Sequence, residues 1–125
     1  MTDATAMEPP PRRWAESLDA VFILLFAAIG RLSHHEGLSL YGWLLTAYPF
    51  IVGALVGWVV ARTRRPDTLR GGVVVWVVTV VLGMVLRAVT HQGVAVAFVV
   101  VAACFLGLFL LGWRWVADRV EARRP

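Results

Sequence analysis

Residues 37–61 read GLSLYGWLLTAYPFIVGALVGWVVA, bounded by Glu36 and Arg62, and carry no formal charge. A bilayer core about 30 Å thick is crossed by roughly 20 helical residues rising about 1.5 Å each. This stretch is long enough with residues to spare. The rest of the chain agrees: of 125 residues, 59% are hydrophobic and 16% charged, with a mean hydropathy of +0.74. Soluble domains average about 45–50% apolar and about 25% charged. A chain this small has too little polar surface to cover so much apolar side chain, which excludes water-soluble folds and disorder alike.

Working outward, a second apolar run without formal charge lies between Arg87 and Arg114. A third, Gly71 to Thr90, reaches span length only by taking in Arg87. The first, Ala20 to Gly30, spans only if it begins near Trp14 and carries Asp19 and Arg31 within its ends. The valine-rich Val73–Val81 has strand propensity but lacks the alternating polar face of a membrane barrel. In lipid, backbone hydrogen bonds must close within a segment, so helices prevail. The expected fold is an all-α integral membrane four-helix bundle, with helices over about 14–33, 38–61, 71–90 and 93–116. Residues 1–13 read as a disordered lead and 117–125 as a tail. Asp19 and the lack of a small-residue cleavage site before Arg31 argue against a signal peptide.

All twelve basic residues are arginine, against eight acidic ones, giving a net charge of +4. They border apolar runs instead of forming a basic face, so no nucleic-acid partner is expected. Arg12, Arg13, Arg62, Arg64, Arg65, Arg70, Arg114, Arg119, Arg123 and Arg124 fall on one side, Arg31 and Arg87 on the other. By the positive-inside rule the protein is a multi-pass protein of the cell membrane with both termini cytoplasmic. Five tryptophans (Trp14, Trp58, Trp76, Trp113, Trp115) fall near the cytoplasmic ends as interface anchors, and Trp43 near the outer end.

The two outer turns are alike. Arg31, His35, Glu36 and Gly37 align with Arg87, His91, Gln92 and Gly93 at one offset of 56 residues. This spacing is consistent with two parallel-repeated helical hairpins related by an axis along the membrane normal. Ordinary helix-ending arginines and capping glycines produce the same pattern without duplication.

Charges within spans are costly and mark candidate sites. Asp19 lies roughly 7–8 Å along its helix from Trp14, and its expected partner is Arg114 on the last helix. The pair acts either as a tie between first and last helices or as a proton- or ion-coupling carboxylate. Arg31 and Arg87 either anchor the outer ends or converge on an anionic group. Arg87 shares with Trp76, Thr79, Gly83 and Thr90 a helical face expected to point inward. His34, His35, Glu36 and His91 form a candidate outer-turn site. Lying in turns, they are not expected to hold a metal or haem, and no cofactor is expected. Thr46, Pro49, Gly53 and Gly57, with Gly42, make a small-residue stripe for helix packing, with Pro49 as a kink. Ala103 to Gly107 offers a comparable stripe around Cys104, which reads as a small apolar filler.

Between Asp19 and Arg114 the chain resembles the domain of unknown function 3054 family, small four-span membrane proteins of bacteria and archaea. The resemblance rests on Asp19, Gly30-Arg31, Pro49, Gly83-Met84 with Leu86-Arg87, Ala97-Phe98-Val99 and Gly112-Trp113-Arg114. It implies a membrane protein without an assigned activity. No nucleophile set, phosphate loop or metalloprotease motif occurs, so an enzyme is not expected. The leading expectation is a small-solute or ion transporter or channel acting as a homo-oligomer in the bilayer. Alternatives are an accessory or assembly protein acting through helix contacts, and a haem- or quinone-binding redox protein.

Overall fold

The computed structural model describes residues 14–33, 39–62 and 65–123. Their order is α1 (Ala15–Ser33), α2 (Leu40–Ala61), α3 (Leu69–Val89), α4 (Val96–Leu106), a widened π-helical turn (Gly107–Leu111) and α5 (Gly112–Ala122). The last three form one continuous rod, Val96–Ala122. The described residues therefore form an all-α bundle of four rods running up, down, up and down. Three rods, Leu40–Ala61, Leu69–Val89 and Val96–Ala122, are long and apolar enough to cross a membrane by themselves. The fourth, α1, carries Glu16, Asp19 and Arg31, and its 19 residues measure about 28 Å.

The helix starts follow from local chemistry. Ser39 accepts a hydrogen bond from the Gly42 N–H at 3.0 Å, and Thr68 accepts one from the Gly71 N–H at 3.1 Å. These hydroxyls satisfy amide donors that the first helical turn leaves without a partner. They place the starts of α2 and α3 at Leu40 and Leu69 instead of the expected 38 and 71. The last rod departs further from expectation. It begins at Val96, after an extended Ala95, and continues to Ala122. The tail expected from residue 117 is helical as far as 122, with no proline or glycine between Gly112 and Ala122 to stop it.

Lipid offers no hydrophobic drive between helices, so the bundle is held by close packing and polar contacts. Its two long seams solve this differently. On α2, the small-residue stripe faces α3: Gly53 lies against the Thr79 backbone and Gly57 against the Val75 Cα. Reciprocally, Gly83 of α3 receives the Phe50 ring. Pro49 is buried, and α2 runs unbroken through it. The other seam is filled by rings. All six phenylalanines (Phe22, Phe26, Phe50, Phe98, Phe105 and Phe109) form one connected cluster joining α1, α2 and the last rod, with centroid separations of 4.5–6.2 Å. Such separations suit offset and edge-on ring packing. Ile23, Ala54, Met84, Ala102, Leu106 and Leu110 complete the core.

Candidate functional site: a buried carboxylate–guanidinium centre

Asp19 and Arg114 are both fully buried, with 0% of each side chain exposed. They meet in a two-pronged ion pair: Arg114 Nη1 donates to Asp19 Oδ1 at 2.9 Å, and Nη2 to Oδ2 at 2.7 Å. Two indoles complete the carboxylate. Trp58 Nε1 donates to Oδ2 at 2.9 Å and Trp113 Nε1 to Oδ1 at 2.8 Å. Each oxygen thus accepts two bonds, matching the roughly four lone-pair sites of an ionised carboxylate. The guanidinium is also well supplied, since Nε donates to the Pro66 carbonyl and Nη1 to the Leu110 carbonyl, each at 2.8 Å. Trp113 lies with its ring 4.4 Å from the guanidinium carbon and packs at a tilt against Trp14, centroids 5.1 Å apart. Desolvating two ions costs several kcal/mol each, and this many directed bonds is what makes the burial tolerable.

Four elements converge on this centre, each for a local reason. Asp19 stands one turn into α1, and Trp58 one turn before the end of α2. The loop before α3 presents the Pro66 carbonyl. Arg65 there has a left-handed φ of 57°, its guanidinium grips Asp67 at 2.9 Å, and its carbonyl accepts the Thr68 hydroxyl at 2.7 Å. Gly72 opens the path for Arg114, since a methyl group in its place would overlap the arginine Cδ.

The aim of Arg114 depends on the wide turn. Ala102, Leu106, Leu110 and Arg114 are all 0% exposed, each four residues beyond the last. On an uninterrupted α-helix the step from Ala102 to Arg114 would leave the arginine about 120° off that face. The π turn Gly107–Leu111 absorbs one extra residue, about 100° of rotation, and restores the alignment.

Residues 17–117 match the model of a family described as Protein of unknown function (DUF3054). The chain belongs to that family. Both members of the ion pair lie inside the matched span. No curated protein and no solved structure matches the chain.

The opposite end of this DUF3054 protein carries Arg31 and Arg87. Arg31 reaches from α1 to the first turns of α2. Its Nη1 donates to the Thr46 hydroxyl at 3.3 Å, and its Nη2 occupies the space a side chain on Gly42 would fill. Thr46 in turn donates to the Gly42 carbonyl. Arg87 clasps its own turn, donating to the carbonyls of Gly93 and Gln92 (each at 3.1 Å) and to Gln92 Oε1 at 3.3 Å, and lies 4.1 Å over the Phe98 ring. Each arginine thus reaches forward onto the helix that follows it. Gly42 and Phe98 stand at the same 56-residue offset as Arg31 and Arg87, so the hairpin likeness extends to side-chain placement.

On α3, Thr79 and Gly83 are buried and Trp76 donates to the Ala103 carbonyl at 3.0 Å. Thr90 is exposed, a correction to the inward face expected of it. It lies just past the end of α3 and its hydroxyl turns back to the Leu86 carbonyl at 2.7 Å. The Thr79 hydroxyl is buried and has no hydrogen-bond partner among the described residues. Cys104, read as a filler, is exposed on the outside of α4. Of the outer-turn candidates, His34, His35 and Glu36 lie outside the described residues. His91 is exposed at a left-handed φ of 61°. Among the described residues no group of three His, Cys, Asp or Glu side chains stands ready for a metal ion.

Trp58, Trp113, Gly72 and Pro66 belong to the centre and were not singled out for it from the sequence. Tryptophans near helix ends read as interface anchors. The only pointer was that Trp113 adjoins Arg114.

Proposed function

We propose that this membrane protein is a small-solute or ion transporter or channel that works as a homo-oligomer, with Asp19 and Arg114 as its charged centre. The observation that carries the reading is the fully buried, mutually saturated carboxylate and guanidinium joining the first and last helices. Ionisable groups at such positions in membrane proteins mark ion and proton pathways. Stability alone is a weak reason for the pair, since well-packed apolar residues serve a buried site about as well. Within a single bundle the phenylalanine cluster fills the space between α1, α2 and the last rod, which favours a path formed between copies. The reading is of a non-enzymatic protein. Both termini are taken as cytoplasmic, because Arg62, Arg65, Arg70, Arg119 and Arg123 share one end of the bundle.

The assembly-protein alternative loses its main motivation, since Gly53, Gly57 and Gly83 are spent on contacts within the chain. The test is flux in proteoliposomes. Purified protein should release or accumulate protons, small ions or solutes beyond empty vesicles, and Asp19→Asn should abolish that flux. Flux equal to that of empty vesicles, or unchanged by Asp19→Asn, overturns the proposal.

A further inference from the structure

The wide turn lies directly before the charged centre. Glycines bracket it at both ends, Gly107 and Gly112; glycine is less favourable than alanine in a helix. A side chain on Gly107 would press on the Trp76 indole at 3.0–3.1 Å, whereas one on Gly112 would meet nothing within 4 Å. Two side-chain donors brace the turn. Trp76 Nε1 holds the Ala103 carbonyl just before it, and Arg114 Nη1 holds the Leu110 carbonyl inside it. One of the braces is therefore the very arginine that the turn aims at Asp19.

We propose that Gly107–Leu111 is a register switch for the ion pair: in its wide form it sets Arg114 on Asp19, and in ordinary α geometry it withdraws Arg114. Closing the turn over the same residues rotates α5 by about 100°. Trp113, one position earlier in the chain, then faces inward in place of Arg114. Asp19 keeps its Trp58 bond and loses both guanidinium bonds, which leaves a carboxylate open to a proton or a small cation. The rotation is a discrete one-residue step, and π turns within α-helices occur frequently at functional sites. The switch does not depend on what the protein carries, so it stands or fails separately from the transport reading.

Pulsed electron-spin distance measurements in lipid nanodiscs test it. A Cys104→Ser background would carry nitroxides at Val73→Cys on α3 and Val120→Cys on α5, both exposed positions. The full chain is expected to show two distances. Trp76→Phe, which removes one brace, should raise the second population about fivefold, as expected for losing one hydrogen bond of about 1 kcal/mol. Asp19→Asn should raise it as well. Deleting Leu108 removes the extra residue but keeps both flanking faces in register, and should leave one distance only. A single distance that neither Trp76→Phe nor Asp19→Asn changes overturns the switch, and so do two distances persisting after the deletion. If the deletion variant does not fold, the two substitutions still decide.

Discussion

The two ends of the bundle use the same side chain in opposite ways. At one end Arg114 is fully buried and finds its carboxylate 95 residues away, with indoles filling the remaining acceptor sites. At the other, Arg87 bonds to groups five and six residues ahead, and Arg31 to a hydroxyl fifteen ahead. The first arrangement specifies which helices close the bundle. The second specifies how neighbouring helices turn. The difference is one of environment: a guanidinium deep among apolar side chains needs an anion and a full set of acceptors, while those near the outer helix ends bond to a neighbouring hydroxyl or to carbonyls of their own turn.

The largest expected effect is on the buried end. Asp19→Ala strands an unpaired guanidinium and should destabilise the fold by about 3–5 kcal/mol, read as a fall in the detergent unfolding midpoint. The double variant Asp19→Leu with Arg114→Met should recover most of that loss; a double variant as unstable as the single one would show that the pair does more than neutralise itself. Arg114→Lys keeps the charge but not the fork or the Nε–Pro66 bond, and should cost about 2–3 kcal/mol in the same assay. Gly72→Ala pushes on the arginine stem and should cost about 1–3 kcal/mol, with Trp113 emission shifting as Arg114 moves. Arg87→Gln should cost the least, under about 1 kcal/mol. A loss from Arg87→Gln as large as that from Asp19→Ala would erase the contrast between the ends.

The same contrast explains what was legible in the sequence. Asp19 and Arg114 were readable as partners because each breaks an apolar helix near the same membrane face. The four rods were readable from the spacing of charges. The donors Trp58 and Trp113 were not, since a helix-end indole looks the same whether it faces lipid headgroups or a carboxylate. Neither was the exact face of Arg114. A straight 3.6-residue helix places it about 120° from Ala102, and the wide turn that corrects this is announced only by Gly107 and Gly112. The phenylalanine cluster is not legible in the sequence for a related reason. Its members come from three helices whose relative rotation the sequence does not state, and every apolar residue in such a helix is equally at home against lipid.

The 95-residue separation of the ion pair also bears on biogenesis. At about 5–20 residues per second, the first helix leaves the ribosome some 5–20 seconds before its counter-charge is synthesised. During that interval its carboxylate has no guanidinium to meet. A chain that stops short of Arg114 keeps most of its apolar length yet lacks the guanidinium that meets both oxygens of Asp19.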